Sequence, residues 1–518
     1  MTPSTTAAPS KIKTMDFVNL IIKRGEPLIN MAAYLSQQKS SNVLLRRPFL
    51  GELLSQSGQL EELLDAYNAR NNRQWCSFRS LTAAIKLFAD VGYELLHIQH
   101  TLPNYKLLPI EQDFNKATND TLQFVAGVLL TACNRILDEA RKLKLPLCPK
   151  ECRDFGCEQL PAGRLPHDRR ARKIANVGET VTMLATAFLN LAAESNLNAF
   201  AEKNQPIDYK SYVPASFTEE NLRSLELRFH NLQSLYDTYV SETETELLDT
   251  DLPVLRGHIS VVFHLLRTAT AFVHYYERHV SCPGEDLSQG PKPLVDCENL
   301  LAILTNYSIT YSSCYILSAQ RLCQAMLKKY AELGKIKVPV PRYRGFHVRP
   351  STLIAKLVHH YGSDVKMKLE DELYDASSPL ELFRANEKIN AGKRRSLAEE
   401  IVKQELVREK ICHKDIKAAV RRIVLKLAEQ GKVILYEQPL QLPVQMDETD
   451  ATIIEKITDM IAQLLAIGKI DIVTNLEVTF TGDKRVLADV KLLAESGYGE
   501  DNYGNNISLP QQLEYLRR

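Results

Sequence analysis

The spacing of apolar residues changes once along this chain, near residue 336, and that change limits the folds open to it. Before it, segments such as TNDTLQFVAGVLLTACNRILDEARKL (118–143) and LLAILTNYSITYSSCYILSAQRLCQAMLKKYAEL (300–333) carry apolar residues three and four apart. That spacing builds the apolar stripe of an amphipathic helix. Few segments alternate with period two, so residues 15–335 are expected to be all-helical. Glycine and proline gather at 145–166 and 282–293, which allows two lobes meeting near 145–170. Residues 1–14, MTPSTTAAPSKIKT, are small and polar and read as a disordered tail.

After residue 336 the pattern mixes periods. KVPVPRY (337–343) alternates and holds two prolines, which suits an edge strand. A glycine and His347 follow, then a helix from Pro350 to Tyr361 with Leu353, Ile354, Leu357 and Val358 on one face and Gly362 at its C-cap. DVKMKL (364–369) and Leu373–Ala376 read as a strand pair. Ser378, Pro379 and Glu381 have the pattern of a capping box before another helix. A helical, basic stretch at 386–431 interrupts; from Lys393 to Lys432 it has twelve Lys/Arg against six Asp/Glu. KVILYEQPLQL (432–442) then reads as a strand and DATIIEKITDMIAQLLAIG (450–468) as an amphipathic helix. Without the interruption the order is strand, helix, strand, strand, short helix, strand, helix, which makes an antiparallel sheet with helices on one face. The expected fold is therefore multidomain: a large all-α N-terminal region and a C-terminal α+β domain over 336–472, with 473–518 as an extension.

The chain has 518 residues, enough for two to four domains, and a net charge of +1, so the whole molecule is not built to coat nucleic acid. The start lacks the apolar core of a signal peptide, and the longest apolar stretch, VTMLATAFLNLAA (181–193), is too short to span a bilayer. These point to a cytoplasmic protein without membrane insertion, its ten cysteines reduced.

GFHVRPSTLIAKL (345–357) resembles the active-site segment of HPr, the histidine phosphocarrier of the bacterial phosphoenolpyruvate-dependent phosphotransferase system. The family's glycine, apolar residue, histidine, variable residue, arginine and proline stand here as Gly345, Phe346, His347, Val348, Arg349 and Pro350. The likeness continues through 359–383, resumes at 432–467 and covers roughly ninety of the 518 residues. It implies an HPr-like open-faced sandwich in which His347 takes a phosphoryl group from an enzyme I-like donor protein and passes it to an acceptor of unknown identity. The chemistry agrees. A neutral imidazole accepts and donates phosphoryl groups, and a helix N-terminus offers free N–H groups and a positive dipole end. Arg349 is placed to neutralise phosphate, Pro350 to stiffen the turn, and Ser351 and Thr352 to supply further N–H donors. The family's regulatory serine has its counterpart in Ser378, where the capping box is an explanation of its own.

The departures from that family are the helical region in front, the insertion and the C-terminal segment. Cys148, Cys152, Cys157 and His167 place four soft ligands together, but their spacing is wrong for paired zinc knuckles. His258, His264, His274 and His279 crowd one helical stretch without a pair three or four apart and read as core or surface residues. No phosphate-binding glycine loop is present, and no cofactor is called for. Three readings stand: a phosphocarrier whose state the helical region senses, an interaction scaffold with a degenerate HPr-like domain, and an enzyme in the helical region regulated by the carrier.

Overall fold

The computed structural model describes residues 12–37, 46–146, 176–197, 213, 216–241, 243–280, 294–403, 416–437, 439–442 and 452–516. The cysteine–histidine quartet Cys148, Cys152, Cys157 and His167 lies outside them, as do most of the 1–14 tail and most of the 145–170 segment where two lobes were expected to meet. The chain forms two compact units, Met1–Thr180 with Ser195–Leu322, and Val181–Glu194 with Cys323–Arg518. Helical character ends near residue 335 as expected, with strand beginning at Leu333. The division of the chain does not fall there: residues 181–194 and the last turns of the preceding helix group with the C-terminal part.

The first unit is helical. Its elements are α1 (Thr14–Gln37), α2 (Arg47–Ala66), α3 (Cys76–Thr101), α4 (Phe114–Lys142), part of α5 (Val177–Ser195), α6 (Glu219–Tyr239), α7 (Glu244–Leu248), α8 (Asp251–Tyr275) and most of α9 (Cys297–Lys329). Asp113, Asn176, Thr218 and Asp296 cap four of these helices, each side chain accepting an otherwise unpaired backbone N–H. Helix α3 buries Phe78, Thr82, Ile85, Phe88 and Leu95, the stripe its spacing predicts. Among the described residues α9 is the helix long and apolar enough to cross a membrane, and 67% of its most apolar window is buried within the protein. Inside this unit His264 Nδ1 lies 2.7 Å from Glu94 Oε2, and Arg267 reaches Glu94 and Asp90 at 2.9 Å. Of the four clustered histidines, His264 thus belongs to a buried ion network, and His258 is fully buried against the carbonyl of Val254.

The second unit holds β1 (Leu333–Pro339), α10 (Val348–Tyr361), β2 (Lys366–Leu369), β3 (Glu372–Asp375), α11 (Pro379–Lys403), α12 (Ile416–Glu429), β4 (Val433–Leu435), α13 (Ile453–Ala466), β5 (Ile470–Ile472), β6 (Glu477–Asp483) and α14 (Lys484–Glu495). A four-stranded antiparallel sheet runs in the order β1-β6-β2-β3. Phe480 of β6 pairs with Met367 of β2, and both are fully buried, while the alternate Lys366 and Lys368 face solvent. Burying a side chain the size of Phe480 is worth about 1.5–3 kcal/mol. The sheet therefore has one covered face, as the alternation requires.

Its fourth strand is not the expected one. The segment 432–442 supplies only the short β4, which pairs with β5 in a separate two-stranded sheet. The four-stranded sheet takes β6 instead, and α14 follows it where 450–468 had been assigned. Residues 473–518 are thus no extension, and the interruption reaches from 386 to 476 rather than to 431. The reason lies in pairing range. β6 alternates Val478 and Phe480 over seven residues and bonds both β1 and β2, whereas β4 is three residues long and is followed by Pro439.

The inserted segment has a core of its own. Leu397 and Ile401 of α11, Val420, Ile423 and Leu427 of α12, Ile457, Ile461 and Leu464 of α13, and Ile470 pack together. The basic surplus lies outside that core, for Arg394, Arg395, Lys417 and Arg421 are exposed. One helix joins the two parts: α11 buries Leu382 and Ala385 in its first turns and Leu397 and Ile401 in its last.

Candidate functional site

The turn from Tyr343 to His347 is built by two left-handed residues, Arg344 at φ 53° and Gly345 at φ 63°. A Cβ on Gly345 would meet Asn386 Oδ1 at 2.1 Å. Asn386 ties the turn to α11: its Oδ1 accepts from Phe346 N at 2.9 Å and its Nδ2 donates to Arg344 O at 3.0 Å. Arg344 N donates to Asp471 Oδ2 at 3.0 Å, and Asp471 Oδ1 takes Lys393 Nζ at 2.7 Å in a pair almost wholly buried. Phe346 is fully buried and packs edge-on against Tyr498. The inserted segment, through Asn386, Lys393 and Asp471, therefore shapes the turn that presents His347.

His347 is the N-cap residue of α10, with extended backbone at φ −77° and ψ −167°. Its Nε2 lies 2.7 Å from Glu500 Oε2, and its ring meets Tyr343 edge-on at 5.4 Å. The Glu500 side chain is 6% exposed and that of His347 23%. An ionised carboxylate only accepts, so the ring hydrogen belongs on Nε2 and the lone pair on Nδ1. Glu500 reaches His347 from a glycine-rich loop in which Gly497, Tyr498 and Gly499 all have positive φ. Tyr498 anchors that loop by donating to Pro339 O at 2.7 Å.

Arg349 lines a groove that His347 does not. Its Nε donates to Gly499 O at 3.1 Å, and its side chain lines a groove of about 620 Å³ with Thr352, Lys356 and Leu509. His347 lines a different cleft of about 330 Å³, together with Arg344, Asn386, Asn390, Arg394 and Phe383. The phosphate-neutralising role read into Arg349 is not what this arrangement favours, because its guanidinium is held by the 499 carbonyl on the other groove.

The amides at the helix start are also distributed differently from expectation. Ser351 N donates to His347 O at 3.1 Å, and Ser351 Oγ donates to Phe346 O at 2.8 Å with the residue fully buried. Ser351 is thus part of the turn's own bonding, not a free donor. Thr352 lies in the first full turn and borders the Arg349 groove. Pro350, buried, carries no N–H. The amides left without an intrahelical partner at this end are those of Val348 and Arg349. Ser378 stands before α11, where its Oγ accepts from Glu381 N at 3.4 Å, a long capping bond. Among the described residues no group of three His, Cys, Asp or Glu is arranged to hold a metal ion.

No family model, no curated protein and no solved structure matches this chain.

Sequence reasoning singled out His347, Arg349 and the flanking glycine and proline. It missed Glu500, Asn386, Asn390, Arg394, Arg344 and Asp471. Glu500 is 153 positions from His347. The available signal was weak: an acidic residue directly after a Gly-Tyr-Gly run, in a segment read only as an extension.

Proposed function

We propose that this protein is an HPr-like phosphocarrier or phospho-regulatory protein, with His347 as the phosphoryl acceptor. The observation that carries the reading is the His347–Glu500 contact at the start of α10. A carboxylate on Nε2 fixes the tautomer and orientation of the ring and leaves the Nδ1 lone pair free to attack, as the acid partner of a catalytic histidine does. In the proposed step the Nδ1 lone pair forms a bond to phosphorus as the bond to the donor's leaving nitrogen breaks. The hydrogen stays on Nε2, and Glu500 balances the positive charge that the ring acquires. Transfer onward reverses these changes with an acceptor nucleophile. The element order strand, helix, strand, strand, helix, strand, helix, completed by β6 and α14, supports the HPr-like reading of the fold. The donor is an enzyme I-like protein, the setting is bacterial and cytoplasmic, and the helical unit is the natural place for the phosphorylated state to be sensed.

The second reading is a binding module whose histidine carries nothing. The withdrawal of Arg349 to Gly499 O favours it. Incubation with phosphoenolpyruvate and enzyme I, read by intact mass for an acid-labile phosphate, separates the two. One phosphate on the wild type and none on His347→Ala supports the carrier. No phosphate on either, with an HPr labelled in parallel, supports the module.

A further inference from the structure

The cleft beside His347 has a chemistry of its own. Helix α11 presents Phe383, Asn386, Asn390 and Arg394 to it, at spacings of three and four that place them on one helical stripe. Asn386 is used up in holding the turn, but Asn390 is not. Arg394 is exposed and forms no ion pair with a described residue, and the same holds for Arg344. The Arg344 guanidinium lies over Gly468, where a Cβ would come within 2.8 Å of its Cζ. Two carboxylates also border the cleft. That of Asp471 is neutralised by Lys393, and that of Glu387 is exposed, so the arginines leave the cleft cationic. Phe383, Leu465 and Ile470 make the remaining wall apolar. The volume, about 330 Å³, is at the small end of small-molecule sites.

We propose that this cleft binds a small organic phosphate, its phosphate held by Arg344, Arg394 and Asn390 and its carbon part against Phe383 and Leu465. Guanidinium groups bind phosphate by paired charge-assisted hydrogen bonds, and a nearby amide adds a neutral donor. Arg394 comes from the inserted segment, so the insertion is part of the site rather than an appendage to it. The inference deepens the phosphocarrier reading, since it places a phosphate-bearing molecule beside the proposed acceptor.

The test is a calorimetric titration of the full chain with phenyl phosphate, with inorganic phosphate as the comparison. Phenyl phosphate binds more tightly than inorganic phosphate. Arg394→Ala and Arg344→Ala each weaken it by about tenfold, the size of one charge-assisted contact, while Arg349→Ala leaves it unchanged. Arg394 is exposed, so that variant folds, and its thermal transition confirms this. Unchanged affinity in Arg394→Ala, or loss of binding in Arg349→Ala, overturns the assignment. His347→Gln separates the two proposals. If it still binds phenyl phosphate while the wild type accepts no phosphate from enzyme I, the cleft stands and the carrier reading falls. If the wild type is phosphorylated by enzyme I but binds no phenyl phosphate, the carrier stands and the cleft falls.

Discussion

Gly345 has no room for a side chain: Asn386 Oδ1 fills the place of its Cβ, and its φ of 63° is one that side chains disfavour. Gly345→Ala is expected to lose about 1–3 kcal/mol, from strain and the displaced Asn386, seen as a lower thermal midpoint. Glu500→Gln tests a different kind of dependence. The amide keeps the shape but not the charge, so folding is retained while phosphoryl acceptance slows by on the order of ten- to a hundredfold, as for other carboxylate partners of histidine. Single-turnover transfer from phosphorylated enzyme I checks it, and an unchanged rate would make Glu500 a structural residue only. Of this site, the turn was legible because glycine, histidine and proline act on their own neighbours. Glu500, Asn386 and Arg394 were not, because their roles depend on contacts across 40 to 153 positions of chain.

At the level of elements, α11 serves two cores with one continuous rod. The insertion core it enters is closed by Ile461, fully buried on α13 among Val420, Ile423 and Leu464. Ile461→Ala is expected to cost about 2–5 kcal/mol. Hydrogen exchange shows where: amides of α12 and α13 lose protection while those of β1 and β6 keep theirs, because the insertion packs its own apolar cluster and α11 is the described helix that enters both cores. Equal loss in both would mean that they unfold together. The choice between 432–442 and 477–483 shows the limit of pattern reading. Both segments alternate and both precede an amphipathic helix, and local periodicity cannot say which one bonds β1 and β2. The strand pair β2–β3 and helix α10 were legible because a short turn or a glycine C-cap fixes each of them locally.

For the molecule as a whole, acid is the expected weakness. Burial pushes His360 down to about 4, and burial followed by the neighbouring His274 pushes His279 down to about 4. Burial, then His264, does the same to His97. Each stays neutral when folded but takes a proton when unfolded as the pH falls below about 6.5. The stability they contribute is present above about 6.5 and is lost as the pH falls towards 4. For His360, stacked on Tyr515 and bonded to Asn190, this is at most about 3 kcal/mol. Denaturant unfolding at pH 7 and pH 4.5 checks it, with His360→Gln expected to shrink the difference. The position of β6 has a consequence for biosynthesis. It lies between β1 and β2, yet 101 residues separate its start from the end of β3. At a translation speed of about 5–20 residues per second, the growing chain waits roughly 5–20 s with β1 and β2 made and the strand between them missing. During that interval the inserted segment can emerge from the ribosome and close its own core first, so a nascent chain stopped before 477 would display two unzipped strand edges to any chaperone that reads them.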